Sequence, residues 1–189
     1  YTGKPIALAE MHEWLENVVE RIAAADALNI LEIGCGSGLV LFRLAPAARS
    51  YRGLDFSEEA IQELRVQVDA IKTLGEKVTL ACRAAHELEQ IAESSFDMII
   101  INSVTQNFPG IEYLIDVITK AVKLLTPDGQ LFIGDISSLP LRQTFLASIE
   151  REKASPHHSV ADLLNTIEHR AQLDSELNLD SVLFERMAT

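Results

Sequence analysis

Cysteine, basic residues and long apolar runs are all scarce in this 189-residue chain. Its two cysteines, Cys35 and Cys82, show no metal-type or disulfide-type spacing, so both are expected to be reduced thiols. No stretch approaches the ~18–20 apolar residues of a membrane span, and no signal-peptide pattern opens the chain. These absences predict a cytoplasmic protein with no membrane partner and no metal site.

Positive charge is especially scarce: 16 Lys and Arg residues face 28 Asp and Glu residues, for a formal net charge of −12. Such an acidic chain is poorly suited to the phosphate backbone of nucleic acid, so no nucleic-acid partner is expected. The hydrophobic fraction of 48% can form a sizeable core, and the length fits one domain. Because the chain begins at Tyr1 and not at Met, we expect a fragment of a larger polypeptide.

Short apolar runs alternate with helical periodicity along most of the chain. Five runs are predicted as strands, at residues 29–33, 50–55, 77–82, 96–101 and 130–136. Helical spacing and turn residues predict helices at 11–22, 39–44, 57–75, 87–92, 111–125, 139–150 and 160–170. This alternation is typical of a doubly wound α/β fold with a mostly parallel sheet. We expect one domain, with a helical lid segment at 1–26, an α/β core at 27–138 and a helical substrate or lid region at 139–189.

Three glycines at alternate positions, Gly34, Gly36 and Gly38, follow the first predicted strand. Glycine lacks a Cβ atom, so the chain can turn tightly there and a ligand can approach the backbone. A dinucleotide fingerprint would require a further glycine at position 39, where this chain has leucine. The turn is therefore predicted to bind a ligand, and a nicotinamide-dependent reductase is the weaker alternative.

Acidic and amide side chains are placed where the other predicted strands end. Asp55 closes the second strand, and a carboxylate there can accept hydrogen bonds from both hydroxyls of a ribose. Asn102 and Asp135 are placed at the ends of the fourth and fifth strands. Ligands of open α/β sheets bind beyond the carboxyl ends of the strands, so these side chains are expected to line one pocket.

The spacing of the glycine turn resembles motif I of the class I S-adenosylmethionine-dependent methyltransferases. Further segments resemble one subgroup of that class, and they lie at residues 1–6, 31–46, 51–57, 101–109 and 134–141. The chain is similar to the methyltransferase domains embedded in modular nonribosomal peptide and polyketide synthases. Members of that family usually have seven strands, so a chain with five is expected to stop before the last β-hairpin.

The resemblance implies S-adenosyl-L-methionine as the cofactor, S-adenosyl-L-homocysteine as its product, and no metal. It implies that the cofactor is bound by Tyr1, Glu32, Gly34, Cys35, Gly36, Gly38, Asp55, Phe56, Ala85, Asn102 and Ser103. Asp135 is the first catalytic candidate, to orient the acceptor or take its proton, and Glu10 on the first helix is the second. The implied partners are a carrier protein that presents a thioester intermediate and the neighbouring synthase domains.

The segment after the third strand departs from the family. Many members have an acidic residue there that contacts the adenine amine, but this chain reads Arg-Ala-Ala-His-Glu at 83–87. A carboxylate contact to adenine is therefore not expected. His86 is interpreted as a surface residue at the start of a short helix.

The acceptor atom stays open. Amide-methylating members usually have threonine where this chain has Cys35, which favours a hydroxyl or enol oxygen over the nitrogen of an aminoacyl or peptidyl intermediate. Two positions near the expected acceptor pocket also differ from the family, with Asn107 in place of tyrosine and Leu146 in place of histidine. The second difference leaves a non-catalytic scaffold domain as a further alternative.

Overall fold

Five parallel strands form a single sheet in the computed structural model, which describes residues 5–155 and 159–187. The strands are β1 (Asn29–Ile33), β2 (Ser50–Asp55), β3 (Val78–Cys82), β4 (Phe96–Asn102) and β5 (Leu125–Gly134). They lie in the order β3-β2-β1-β4-β5, and each neighbouring pair is parallel. Because the order turns back between β1 and β4, the sheet is doubly wound, and the predicted fold class is confirmed.

Helices occupy the connections between strands and the region after β5. They are α1 (Leu8–Ala23), α2 (Leu41–Leu44), α3 (Glu58–Asp69), α4 (Lys72–Gly75), α5 (Ile111–Leu124), α6 (Arg142–Lys153), α7 (Val160–Leu173) and α8 (Ser181–Met187). A 3-10 turn covers Thr105–Asn107. Across the described ranges, each helix is too short or too polar to cross a lipid bilayer.

Both faces of the sheet are buried, which the alternation of side chains along β4 shows directly. Met98 and Ile100 belong to the core that includes residues of α1, α2 and α3. Ile99 and Ile101 point to the opposite side and belong to the core that includes residues of α5. All four side chains are at most 2% exposed, which explains why this strand is nearly continuously apolar in sequence.

The helix predicted at 57–75 is broken into two. Ser57 caps α3 as expected, since its hydroxyl accepts a hydrogen bond from the Ala60 amide at 3.2 Å. The helix ends at Asp69, however, and Gly75 instead closes the separate short α4. Ile71 breaks the helix because its backbone is extended (φ −110°, ψ 94°), and its side chain is 44% exposed instead of buried.

The helix predicted at 87–92 is wrong, because this segment consists of turns. Leu88 and Ile91 are three positions apart, as on a helix, but they reach the core from irregular backbone, where they are 1% and 6% exposed. The turn residues between the helix predicted at 111–125 and the strand predicted at 130–136 lie inside β5. Phe96 pairs with Leu125 and Met98 pairs with Gln130, so the turn residues form an irregularity in the pairing of β4 with β5.

The region after β5 folds back on the carboxyl edge of the sheet. Leu179, between α7 and α8, is 3% exposed and forms a parallel bridge with Ser138. The Leu179 amide donates to the Ser137 carbonyl at 2.8 Å, and the Leu139 amide donates to the Leu179 carbonyl at 2.9 Å. This anchoring places α6 and α7 beside the end of β5, where they form the wall of a cavity.

Candidate cofactor and acceptor site

The three glycines of the turn all have left-handed backbone, with φ of +82° at Gly34, +48° at Gly36 and +82° at Gly38. A Cβ atom at Gly34 would lie 2.3 Å from Val104 Cγ2, and one at Gly38 would lie 2.5 Å from Leu64 Cδ1. A Cβ atom at Gly36 would have no neighbour within 4 Å. The outer glycines are therefore required by packing, whereas the middle one leaves open space beside a cavity.

Asp55 at the end of β2 fixes the position of the turn. Its carboxylate is 8% exposed and accepts two backbone hydrogen bonds, from Gly36 to Oδ2 and from Ser57 to Oδ1, both at 2.9 Å. A carboxylate oxygen can accept more than one hydrogen bond, so both oxygens keep acceptor capacity for a ligand. Because backbone amides hold the group in place, a hydroxyl pair arriving there would find its acceptors already oriented.

A buried polar pair lies beneath the turn. The Tyr51 hydroxyl donates to Glu32 Oε2 at 2.7 Å, and the two residues are 0% and 3% exposed. Burial raises the pKa of Glu32 to about 8, although the Tyr51 hydrogen bond opposes the rise and the Asp55 charge adds to it. Burial likewise raises the pKa of Tyr51 well above its ordinary value. Burial therefore favours the protonated form of Glu32, which lines the cavity described below.

Cys35 points into the interior of the protein. It is 4% exposed, and its Sγ atom lies 3.0 Å from the position that a Cβ atom on Gly53 would take. Burial, followed by the charges of Glu32 and Asp55, raises the pKa of the thiol above its ordinary value. The thiol is thus inert packing against β2.

A cavity of about 540 Å³ lies along these strand ends. Nine of the residues predicted to bind the cofactor line it, namely Glu32, Gly34, Cys35, Gly36, Asp55, Phe56, Ala85, Asn102 and Ser103. Gly38 lies outside the lining and supports the turn through its packing on Leu64. Tyr1 falls outside the described residues. Sequence reasoning did not identify Trp14, Val104 and Tyr113, which also line this cavity, because their contacts depend on how separate helices and loops pack.

Ser103 and Asp135 meet at the ends of β4 and β5. Asp135 lies one residue beyond β5, and both residues have left-handed backbone, with φ of +59° and +52°. The Ser103 hydroxyl donates to Asp135 Oδ2 at 2.6 Å and accepts from Asn102 Nδ2 at 3.3 Å. Strained non-glycine backbone of this kind clusters at functional sites, so the pair is a candidate for chemistry.

Two further cavities meet at Asp135. One, of about 830 Å³, runs between the end of β5 and helices α6 and α7, and Leu146 lies in its wall. The other, of about 590 Å³, lies between α1 and β5, and Glu10 lines it together with Asp135. Glu10 is exposed and does not line the cofactor cavity, whereas Asn107 does. Asp135 therefore lies between the cofactor cavity, which it reaches through Ser103, and space for a second substrate.

His86 is not the surface residue that the sequence suggested. It is half-buried in a turn, and its Nδ1 atom lies 2.9 Å from the hydroxyl oxygen of Tyr113. No sequence signal indicated this contact, because Tyr113 lies on α5 and His86 in the turn after β3, and only the tertiary structure brings them together.

The donor set of the cofactor cavity fits S-adenosylmethionine. Gly36 leaves room at the backbone, Asp55 offers acceptors to a ribose, and Glu32 and Asn102 contribute polar side chains to the lining of the same cavity. Among residues 5–155 and 159–187, no cluster of His, Cys, Asp and Glu side chains has the makings of a metal site.

Comparison with known proteins gives the family of the chain. The sequence pattern of a methyltransferase domain family matches residues 31–131. The chain is 40% identical over its full length to part of the chondramide synthase of Chondromyces crocatus, of which it covers 5%. It is 35% identical over its full length to part of a nonribosomal peptide synthetase of Metarhizium robertsii, of which it covers 2%. The chain thus matches a small segment of each of these very long proteins.

A solved structure shares the fold. The N-methyltransferase NodS of Bradyrhizobium japonicum, determined with S-adenosyl-L-homocysteine, aligns with a TM-score of 0.61 at 22% identity, over 71% of this chain and 66% of that one. The chain belongs to the methyltransferase domain family, and it is similar to short segments of very long synthases that include a nonribosomal peptide synthetase.

Proposed function

We propose that this domain methylates the nitrogen of an aminoacyl or peptidyl intermediate that a carrier protein presents as a thioester. The observation that carries the proposal is the hydrogen bond between Ser103 and Asp135, which links the cofactor cavity to the large cavity beside α6 and α7. A methyl donor in the first cavity and an acceptor in the second would meet at this pair.

Residues of the cofactor cavity would hold the cofactor through hydrogen bonds and through its charge. The Asp55 carboxylate would accept hydrogen bonds from the ribose hydroxyls, and the open space at Gly36 would let the ligand approach the backbone. Glu32 and Asn102, which line the same cavity, would hold the amino-acid part of the cofactor. When bound, S-adenosylmethionine supplies a methyl group bonded to a positively charged sulfur, which leaves when a nucleophile attacks the methyl carbon.

The chain's own contribution is alignment and proton removal. Holding two reactants in line can be worth ~7–11 kcal/mol of the barrier. As the new carbon–nitrogen bond forms and the carbon–sulfur bond breaks, the nitrogen must lose a proton, and we assign its acceptance to Asp135. Ser103 fixes the orientation of the Asp135 carboxylate by donating to Oδ2. Residues 1–26 and 139–189 are proposed to enclose the acceptor on either side.

Nitrogen is favoured as the acceptor because the relatives include a peptide synthetase, whose building blocks carry amino groups. The sequence favoured oxygen because of Cys35. The Cys35 thiol packs against Gly53 inside the protein, however, so the residue type at position 35 does not contact the acceptor directly. A hydroxyl or enol oxygen is the second candidate, since the Asp135 carboxylate could also take a hydroxyl proton.

A matched pair of carrier-bound substrates separates the two candidates. Carrier protein loaded with a valyl thioester differs from carrier protein loaded with a 2-hydroxyisovaleryl thioester only in an amino group against a hydroxyl group. Incubation with S-adenosylmethionine and mass spectrometry should show a gain of one CH2 on the valyl substrate alone. Methylation of the hydroxy substrate alone would establish the oxygen acceptor. Cofactor binding without transfer to either would favour a non-catalytic scaffold.

A further inference from the structure

The end of the cofactor cavity beside β3 contains a polar group that the sequence did not reveal. Tyr113 lines the cavity together with Ala84 and Ala85, and its hydroxyl oxygen lies 2.9 Å from His86 Nδ1. The two rings meet edge to face, with centroids 5.3 Å apart and planes at 68°. The alanine side chains carry no hydrogen-bonding atom, whereas the Tyr113 hydroxyl oxygen can accept a hydrogen bond there.

Packing and ion pairs hold this pair in place. Phe108 contacts Tyr113 edge to face, with a centroid distance of 4.9 Å. Lys120 on α5 donates to the His86 carbonyl at 3.0 Å and forms ion pairs with Glu89 at 2.8 Å and Asp116 at 2.9 Å. Through its bonds to the His86 carbonyl and to Glu89, Lys120 therefore links the turn that contains His86 to α5, the helix that contains Tyr113. The hydroxyl is oriented before any ligand arrives.

The position of the purine follows from the order of the strands. If the ribose binds Asp55 on β2 and the sulfur faces Ser103 beyond β4, the base must extend the other way. In the order β3-β2-β1-β4-β5, the other way is towards β3. Ala84, Ala85 and Tyr113 lie at that end of the cavity.

We infer that Tyr113, oriented by His86, recognises the amino group of the adenine ring of the cofactor. In the tautomer whose Nδ1 carries no hydrogen, His86 accepts a hydrogen bond from the Tyr113 hydroxyl, and the lone pairs of the hydroxyl oxygen remain for a donor in the cavity. The adenine amine is such a donor. The inference rests on the proposed cofactor site, and it gives Tyr113 the part that an acidic residue plays in many relatives.

Two ligands that differ at one position of the purine test the inference. In S-inosyl-L-homocysteine a carbonyl oxygen replaces the amine of S-adenosyl-L-homocysteine, so an acceptor replaces the donor. By isothermal titration calorimetry, the Tyr113→Phe variant should bind S-adenosyl-L-homocysteine about three- to tenfold more weakly, the loss of one neutral hydrogen bond. Its affinity for the inosyl ligand should not fall. The Tyr113→Phe variant should therefore prefer the adenosyl ligand over the inosyl ligand less strongly than the unaltered domain does.

The His86→Ala variant gives a second, independent measurement. Without the imidazole, the Tyr113 hydroxyl can rotate and donate to the inosyl carbonyl, so the preference for the adenosyl ligand should shrink here too. The His169→Gln variant, at an exposed position on α7, is the matched control and should bind both ligands as the unaltered domain does.

Two results would overturn the inference while leaving the cofactor site intact. One is unchanged affinity in Tyr113→Phe, and the other is an equal weakening for both ligands, which would indicate packing alone. Failure of the unaltered domain to bind S-adenosyl-L-homocysteine would instead overturn the proposed cofactor site, and the inference with it.

Discussion

The Ser103 hydroxyl donates a hydrogen bond to Asp135 Oδ2 at 2.6 Å, across the ends of two neighbouring parallel strands. Each residue directly follows its strand, and each has left-handed backbone that costs a non-glycine residue roughly 1–2 kcal/mol. The surrounding sheet holds both strained residues in place. The result is a carboxylate with fixed orientation at the boundary between the cofactor cavity and the space proposed for the acceptor.

The first prediction concerns this carboxylate. Asp135→Asn should lower the rate of methyl transfer by ~10²–10⁴-fold, because the amide cannot accept the acceptor's proton. The affinity for S-adenosyl-L-homocysteine should change little, since Asp135 does not line the cofactor cavity. Single-turnover transfer to the valyl carrier and calorimetric titration measure the two quantities separately.

The control for that prediction is Asp128→Asn, an exposed residue in the irregular part of β5. It should leave both transfer and affinity unchanged. Glu10→Gln tests the other catalytic candidate. Glu10 lines one cavity with Asp135, but Asp135 is the residue that contacts Ser103 at the cofactor cavity, so Glu10→Gln should lower the rate of transfer less than Asp135→Asn does. A normal transfer rate in Asp135→Asn would remove this residue from the mechanism.

The second prediction concerns the open side of the glycine turn. Gly36→Val should abolish cofactor binding, because a branched side chain would enter the space where the ligand meets the backbone. It should also lower the melting temperature, since a β-branched residue is strained at φ +48°. Gly75→Ala, at an exposed helical position with ordinary φ, should keep full affinity. Calorimetry and thermal unfolding measure the two effects, and full affinity in Gly36→Val would contradict the assigned turn.

The third prediction compares a carboxylate that binds the cofactor, Asp55, with one that only stabilises the fold, Asp97. Asp55→Asn should weaken S-adenosyl-L-homocysteine binding by at least about tenfold, since a charged acceptor of a hydroxyl pair is lost. Asp97, at the opposite end of the sheet, accepts hydrogen bonds from the Leu28 and Asn29 amides at 3.2 and 2.9 Å. Asp97→Asn should therefore lower stability and leave affinity unchanged. Equal affinity losses in the two variants would show that Asp55 acts only through the fold.

The fourth prediction concerns pH. Because burial raises the pKa of Glu32 to about 8 in the folded domain, the folded state keeps a proton that the unfolded state releases near pH ~4.3. The stability from this residue is therefore complete at low pH and falls as pH rises from the unfolded value to the folded one, by at most ~1.4 kcal/mol per pH unit.

Glu32→Gln should remove that slope, because glutamine cannot titrate and can still accept from the Tyr51 hydroxyl. Urea unfolding at several pH values between about 5 and 8 measures the slope. Glu63→Gln, at an exposed position of α3, should retain the slope of the unaltered domain. If Glu32→Gln and the unaltered domain show parallel stability profiles, Glu32 is ionised in the folded state and the predicted shift is wrong.

Local patterns were sufficient to predict much of the fold. The strands expected at 29–33 and 50–55 coincide with β1 and β2, because buried parallel strands are short apolar runs with clear turn residues on either side. Predictions failed where apolar spacing was ambiguous. Leu88 and Ile91 have helical spacing but reach the core from turns, and the apparent turn after α5 lies inside a strand.

The sequence by itself determined the alternation of strands and helices, the glycine turn and the placing of Asp55 at a strand end, because these depend on backbone geometry and on nearest neighbours. Only the tertiary structure decided that Ser103 contacts Asp135, that Glu32 shares a buried hydrogen bond with Tyr51, and that His86 orients Tyr113. These contacts join residues that are far apart in sequence. Their existence depends on strand order and helix packing, which no local pattern specifies.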